Sequence, residues 1–196
     1  MSISRRGRSR LGVLISGRGS NLKAIIDAIA DQRLDASVAI VISNRADAPG
    51  LDHAIGAGIE TVVLSHKSYA TREDYDRALV AELNRRGVAL VCLAGFMRLL
   101  SPVFVEAFPD RILNIHPSLL PKYPGLHPQQ QALNDGATVS GATVHFVNKE
   151  LDAGPIVLQQ SVAVMPGDTD ETLAARILEI EHQLYPRAID KVLNAT

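Results

Sequence analysis

The sequence has one cysteine, no tryptophan and almost no net charge. Cys92 is the only cysteine in 196 residues, so neither an internal disulfide nor a cysteine metal cluster can form, and a cytoplasmic location is the default expectation. The 20 Lys and Arg nearly balance the 21 Asp and Glu, which argues against a basic face for nucleic acid. The longest apolar run, Val88 to Met97, is too short for a membrane span of about 20 residues. We therefore predict no nucleic-acid partner and no membrane partner.

The composition is that of a single globular domain. Hydrophobic residues make up 46% of the chain and charged residues 21%, which excludes a mainly disordered protein. Residues 1–10 carry four arginines and no apolar segment typical of a signal peptide follows them. We interpret residues 1–10 as a flexible basic tail, with a phosphate contact as the alternative, and residues 11–196 as one domain.

Apolar runs alternate with helical patterns through the first two thirds of the chain. This alternation predicts a parallel sheet with right-handed crossovers and helices on both faces. The predicted strands of this part are Leu11–Ser16, Ser37–Ser43, Thr61–Leu64, Val88–Ala94 and Arg111–His116. Ligands of such sheets bind at the carboxyl ends of the strands, so that edge is where we expect the functional site.

The last third has a different pattern. The runs Ala142–Val147 and Pro155–Val164 are separated by about seven residues, too few for a helical crossover, so these strands should pair antiparallel. A final helix follows, for which Asp168 and Glu171 have the spacing of a capping box. The fold class predicted is therefore α/β: a Rossmann-like, mostly parallel twisted sheet of about seven strands, with an antiparallel strand pair near the C-terminus.

A glycine-rich loop, SGRGSN at Ser16 to Asn21, separates the first strand from the first helix. Glycines allow close backbone approach, and the helix that follows offers unpaired N–H groups to an anion. The loop therefore predicts a phosphate site, whereas the structural alternative is a simple turn with Ser20 as the helix N-cap. It lacks both the last glycine of a dinucleotide fingerprint and the lysine of a nucleoside-triphosphate loop.

Two polar side chains end the fifth predicted strand. Asn114 and His116 are two residues apart, so both should point to the same face of the sheet. An amide and an imidazole side by side suit a reaction in which a carbonyl oxygen becomes negative, because both can stabilise the oxyanion. A purely structural role for these two residues is the alternative.

Asp152, in the sequence ELDAGP, is the third candidate. A carboxylate near His116 would favour the imidazolium form of the ring, whereas a turn-forming aspartate before Gly154 is the alternative. The remaining histidines have no metal-ligand spacing, so we predict no catalytic metal.

These motifs resemble those of the folate-dependent formyltransferase family. The segments SGRGSN, AGFMRLLSP, LNIHPSLLPKYPGLH, GATVHFV and LDAGPIVLQ occur in the family's order between about Leu11 and Leu193. Their similarity is to the branch that acts on glycinamide ribonucleotide. The resemblance implies transfer of the formyl group of 10-formyltetrahydrofolate, a cosubstrate, to the glycyl amine of that ribonucleotide in purine (IMP) biosynthesis. It implies no tightly bound cofactor, small-molecule substrates as the only ligands, and a monomer or homodimer.

The resemblance also assigns roles to residues. It implies Asn114, His116 and Asp152 as the catalytic trio, in a direct attack with no covalent enzyme intermediate. The substrate's phosphate and ribose would be bound by Gly19, Ser20, Asn21 and Glu181. Folate contacts would come from Arg72, Met97, Arg98, Leu99, Leu100 and Asn114, and from the loop of Asn148, Lys149, Glu150, Leu151 and Asp152.

The chain departs from the family pattern at a few positions. Arg18 stands where many members have asparagine, Gln129 replaces a histidine of some relatives, and Leu178 replaces a polar residue of others. The resemblance also suggests a cis peptide bond between Leu120 and Pro121.

Three other functions remain to be distinguished. A formyltetrahydrofolate hydrolase would carry an extra N-terminal domain, and a methionyl-tRNA formyltransferase would need a second domain with a basic surface. A non-catalytic nucleotide-binding module would need the glycine loop but not Asn114, His116 and Asp152 together.

Overall fold

The structure is a computed structural model that describes residues 8–195, so most of the predicted basic tail lies outside it. Its centre is one seven-stranded sheet in the order β3-β2-β1-β4-β5-β6-β7. Strands β1 to β5 are parallel, whereas β6 pairs antiparallel with both β5 and β7. The strands are β1 (Ser9–Ile15), β2 (Ala36–Ser43), β3 (Thr61–Val63), β4 (Leu90–Leu93), β5 (Ile112–His116), β6 (Val139–Phe146) and β7 (Ile156–Ala163). The predicted fold class is confirmed, including the antiparallel pair.

Six α-helices connect and cover the strands of the described part. They are α1 (Ser20–Ala30), α2 (Gly50–Gly56), α3 (Arg72–Arg85), α4 (Pro102–Ala107), α5 (Pro128–Asn134) and α6 (Asp170–Asn194), with a 3-10 turn at His66–Ser68. None of the helices between residues 8 and 195 is long and apolar enough to cross a membrane.

The central strands are buried on both faces, which explains their continuous apolar runs. In β1, Leu11, Val13 and Ile15 pack with residues of α1 and α6 in one core cluster. Leu14 points to the other face and packs with residues of α3 and α4 in a second cluster. Successive side chains of a strand alternate between faces, so a single strand contributes to both cores.

Most strand ends differ from the predicted ones by one to three residues, and the starts of β1 and α6 show why. β1 begins at Ser9 rather than Leu11, so Ser9 and Arg10 belong to the sheet and not to a tail. The cap of α6 is Thr169, whose hydroxyl accepts the Thr172 N–H at 3.3 Å, so the predicted box of Asp168 and Glu171 is wrong by one residue. The Asp168 carboxylate instead accepts hydrogen bonds from Arg176, at 2.7 and 2.9 Å.

The last helix also anchors the strands that end at the site. The hydroxyl of Tyr185, which is fully buried on α6, lies 3.0 Å from the carbonyl oxygens of both Leu93 and Leu113. These carbonyls belong to β4 and β5, so one side chain ties together the neighbouring strands that carry much of the site. The Leu120–Pro121 peptide bond is cis, as predicted.

Candidate active site

The carboxyl ends of the parallel strands open into a cavity of about 930 Å³. The glycine loop, defined here as Ser16 to Asn21, forms one wall of this cavity, and Glu181 of α6 also lines it. Ile115 and Pro117, the residues on either side of His116, line it as well. The glycine loop and the end of β5 therefore face one shared space.

The glycine loop leaves the start of α1 uncapped. Gly19 is the N-cap residue, in the left-handed conformation with φ of 70°, and no side chain accepts a hydrogen bond from the first turn. Ser20 is thus the first helical residue and not the cap that the structural alternative required. The free N–H groups of this turn are available to an anion in the cavity.

Ser16 joins the glycine loop to the segment that follows β4. Its backbone N–H donates to the Gly95 carbonyl at 3.1 Å, and its hydroxyl accepts the Met97 N–H at 2.8 Å. The position of the loop is consequently coupled to that of the Met97 segment.

Glu181 is a buried carboxyl group behind the glycine loop. Its Oε2 accepts a hydrogen bond of 2.8 Å from Nδ2 of Asn21, whose own Oδ1 has no hydrogen-bond partner. Burial raises the pKa of Glu181 to about 7, and the Asn21 hydrogen bond opposes this only in part. The carboxyl group therefore titrates near neutral pH.

Asn114 and His116 project from the same face of β5, as their spacing predicts. The His116 ring is buried between two oxygen atoms: Nε2 lies 2.9 Å from the Tyr123 carbonyl and Nδ1 lies 3.5 Å from Oδ2 of Asp152. The Tyr123 carbonyl can only accept, so the Nε2–H of His116 donates to it. Nδ1 faces the carboxylate of Asp152 at ion-pair distance.

Asp152 connects the loop after β6 to the end of β5. It adopts a left-handed conformation with φ of 50°, and its Oδ2 accepts the Gly125 N–H at 2.9 Å. Its side chain lies within ion-pair distance of His116, although 36 residues separate the two in the sequence. The structure thus brings Asn114, His116 and Asp152 into one cluster.

His145 is a fourth member of this cluster that the sequence analysis did not single out. β6 runs antiparallel to β5 and places His145 opposite Asn114. Its Nδ1 lies 2.9 Å from the Phe146 carbonyl, and its Nε2 lies 3.2 Å from Nδ2 of Asn114. A polar residue inside a buried strand was the only sequence signal for it.

The protonation state of His145 follows from its environment. Burial lowers its pKa below the usual value, so the ring is neutral. With Nδ1–H donated to the Phe146 carbonyl, Nε2 must accept a hydrogen bond from the Asn114 amide. This contact fixes which end of the amide faces His145 and leaves the second N–H of Asn114 free. The 3.7 Å contact between Nε2 and Asp152 Oδ1 is therefore not an ion pair.

The predicted folate residues fall into two groups around the cluster. In the first group, Met97 and Leu99 are 71% and 61% exposed. Two large apolar side chains this exposed and only two residues apart are unusual. Arg98 and Leu100 are half-buried, and Arg98 Nε has no hydrogen-bond partner. Arg72 begins α3, and the Asp76 carboxylate one turn later accepts the Ser101 N–H at 2.6 Å, which holds α3 against this segment.

The second group is the loop from Asn148 to Asp152, between β6 and β7. The Asn148 side chain accepts the Glu150 N–H at 2.9 Å, and Lys149 forms an ion pair of 2.7 Å with Glu106. Leu151 is 57% exposed. This loop therefore presents an apolar side chain directly before the buried carboxylate of Asp152.

The three departures from the family pattern all lie at the cavity. Arg18, Gln129 and Leu178 line it, and Arg18 is exposed without a hydrogen bond or ion pair. Among residues 8–195, no group of three or more His, Cys, Asp and Glu residues could hold a metal ion.

Comparison with known proteins identifies the sequence family. Residues 9–189 match the family described as formyl transferase. Phosphoribosylglycinamide formyltransferase of Escherichia coli (strain K12) is 51% identical over 177 residues, which are 90% of this chain and 84% of that protein.

Longer relatives and solved structures agree with this match. A trifunctional purine biosynthetic protein adenosine-3 from Drosophila pseudoobscura pseudoobscura is 52% identical over 184 residues, which are 93% of this chain but only 14% of that protein. The chain thus spans about one seventh of that relative. Glycinamide ribonucleotide transformylase 1 from Symbiobacterium toebii superposes with a TM-score of 0.94 at 50% identity, covering 97% of this chain and 90% of that one.

Proposed function

Because the chain belongs to the formyl transferase family, we propose that it transfers the formyl group of 10-formyltetrahydrofolate to the glycyl amine of glycinamide ribonucleotide. The products are formylglycinamide ribonucleotide and tetrahydrofolate, and the reaction belongs to purine biosynthesis. One observation carries the proposal: an uncapped helix start suited to a phosphate and the cluster of Asn114, His116, His145 and Asp152 lie at the same edge of the sheet. The names of the similar proteins from Escherichia coli and Symbiobacterium toebii point to the same substrate.

The ribonucleotide binds at the glycine loop. Its phosphate accepts hydrogen bonds from the free N–H groups at Ser20 and Asn21, and the positive end of the α1 dipole adds to the attraction. Glu181, which lines the cavity beside Asn21, holds the ribose hydroxyls. These contacts direct the glycyl amine along the cavity toward the end of β5.

The formyl donor occupies the other side of the cluster. The exposed apolar side chains of Met97, Leu99 and Leu151 supply contact area for its rings. Arg72 and Arg98 supply positive charge for its carboxylates. The cosubstrate leaves after each turnover and is not a resident cofactor.

The chemistry is a direct attack of the neutral amine on the formyl carbon. As the new C–N bond forms, the carbonyl electron pair moves to oxygen, and the free N–H of Asn114 donates to this oxyanion. With Nε2 of His116 held by the Tyr123 carbonyl, the Nδ1–H, which makes no hydrogen bond with Asp152 at 3.5 Å, donates the second hydrogen bond. Preorganised donors of this kind stabilise charge that develops only in the transition state.

Collapse of the tetrahedral intermediate completes the transfer. The bond between the formyl carbon and the folate nitrogen breaks, the attacking nitrogen loses a proton and the departing folate nitrogen gains one. Asp152 stabilises the cationic His116 and orients a water that relays this proton. His145 holds the Asn114 amide in its productive orientation through the 3.2 Å contact.

Mixing purified protein with 10-formyltetrahydrofolate, with and without glycinamide ribonucleotide, tests the proposal. We expect tetrahydrofolate to form only when the ribonucleotide is present, together with a product that is one formyl group heavier by mass spectrometry. Asn114→Ala should lose most of this activity, whereas Asn134→Ala, an exposed position at the end of α5, should retain it. Release of formate without the ribonucleotide would instead indicate a hydrolase, and the absence of any folate turnover would indicate a binding module.

A further inference from the structure

Gly50, the first residue of α2, packs directly against the backbone of the glycine loop. Its N–H donates to the Gly17 carbonyl at 3.0 Å. A Cβ atom built on Gly50 would lie 2.8 Å from Gly19 Cα and 2.9 Å from the Gly17 carbonyl oxygen, and one built on Gly19 would lie 2.6 Å from Gly50 Cα. Ile15 Cδ1 also lies 2.8 Å from the Gly50 Cβ position, but the other neighbours are backbone atoms, which cannot move without shifting the loop or the start of α2.

The need for glycine at position 50 comes from this contact and not from its backbone conformation. Gly50 does not have a positive φ, in contrast to Gly19 with φ of 70°. Alanine is a better helix former than glycine, so α2 itself would favour alanine at its first residue. A glycine there has a physical reason only because another backbone passes too close for a side chain.

Gly50 is nevertheless not part of the cavity wall, which is formed on this side by Ser16 to Asn21. The loop is fixed at its start by the contacts of Ser16 with Gly95 and Met97. In its middle, the Arg18 side chain makes no hydrogen bond or ion pair, and the Gly19 carbonyl accepts the Lys23 N–H of α1 at 2.9 Å. The Gly17 carbonyl is held from outside the loop and α1, by the hydrogen bond from Gly50.

We propose that Gly50 is a positioning residue for the substrate phosphate, which it does not touch. Its contacts with Gly17 and Gly19 hold the N-cap residue Gly19 in the left-handed conformation. The free N–H groups of α1 therefore point into the cavity. Preorganisation of this kind lowers the ordering cost of binding. The inference rests on the proposed function, because it assumes that the anion at this loop is the phosphate of the ribonucleotide.

The kinetic test compares two glycine-to-alanine variants of the same helix. Gly50→Ala should raise KM for glycinamide ribonucleotide at least tenfold and leave KM for 10-formyltetrahydrofolate and kcat within about twofold of wild type. Gly56→Ala is the matched control, because Gly56 ends α2 and a Cβ there would meet no atom within 4 Å. Equal kinetics for the two variants, or an equal rise of both KM values in Gly50→Ala, would overturn the proposal.

A second measurement needs only the wild-type protein and inorganic phosphate. Phosphate should slow hydrogen exchange of the Gly50 amide, whose acceptor is the loop, at least threefold. The Asp52 amide, which donates to Pro49 within the same turn, is the internal control and should not change. An exchange rate of the Gly50 amide that does not change with phosphate would contradict the positioning role, even if Gly50→Ala fails to fold. This readout requires no turnover, so a wild-type protein inactive on the ribonucleotide would count against the proposed function alone.

Discussion

The two halves of the candidate site recognise their ligands in different ways. At the glycine loop the binding groups are main-chain N–H groups, and their placement depends on Gly19 and on the close approach of Gly50. At the ends of β5 and β6 the working groups are the side chains of Asn114, His116, His145 and Asp152, each positioned by a partner. The loop half should therefore govern substrate affinity, and the side-chain half should govern the rate of the chemical step.

Removing the Asn114 amide should have the largest effect. Asn114→Ala deletes one donor to the developing oxyanion, and such losses typically lower kcat by about 10²–10³. KM for glycinamide ribonucleotide should change little, because the glycine loop is intact. Steady-state kinetics with both substrates saturating measure this. Near-normal turnover, with Asn134→Ala as the reference, would contradict the role assigned to Asn114.

Removing the charge of Asp152 should have the second largest effect on the rate. Asp152→Asn keeps the size of the side chain but no longer stabilises a cationic His116, so we expect kcat to fall by about 10². Steady-state kinetics with both substrates saturating measure the rate. Ring ¹⁵N spectra of His116 in the two proteins show whether the carboxylate acts on the ring.

The control for this variant is Asp31→Asn, at an exposed position at the end of α1. It should match the wild type in both rate and ring spectra. If Asp152→Asn leaves the His116 spectrum unchanged, the two side chains are not coupled, and Asp152 has at most a water-positioning role.

The same contrast explains what could be predicted from the sequence. The strand-end pair Asn114 and His116 was predictable because alternation in a strand places both on one face. A glycine loop before an anion-binding helix start could be predicted from its residues. The contact of this loop with Gly50 could not, because Gly50 lies 31 residues beyond Gly19 and only the folded backbone shows that the two meet. His145 was missed because its role depends on strand register rather than on a local motif.

The last helix gives a similar lesson about local signals. Its apolar pattern predicted the helix, but the sequence places Asp168, Thr169 and Asp170 together at its start, and each is a good capping residue. In the structure Asp168 forms an ion pair with Arg176, and Thr169 is the cap. Tyr185, Ala188 and Ile189 are buried around Pro186, so packing continues the helix past a residue that often ends one.

A side-chain deletion at the glycine loop should affect affinity instead of rate. Asn21→Ala removes the amide that joins the loop to Glu181, and we expect KM for glycinamide ribonucleotide to rise about tenfold. KM for 10-formyltetrahydrofolate should stay within about twofold. Asn84→Ala, on the exposed face of α3, is the matched control. An equal rise of both KM values would show that the two halves of the site are not separable.

The smallest predicted effect is on the stability of the protein, and it comes from Glu181, the buried carboxyl group behind the glycine loop. Because its pKa in the folded protein is about 7, above the usual glutamate value of 4.5, the folded state binds its proton more tightly than the unfolded state. Its stabilising contribution is fully present below the unfolded pKa and is lost as the pH rises through about 7. Between about pH 6 and pH 7.5, the wild type should lose about 1 kcal/mol of unfolding free energy relative to Glu181→Gln, which does not titrate. Denaturant titrations of both proteins at the two pH values, without substrate, give this difference. Glu179→Gln, an exposed position on the same helix, should keep the wild-type pH dependence, and parallel behaviour of all three proteins would mean that Glu181 is already ionised at pH 6.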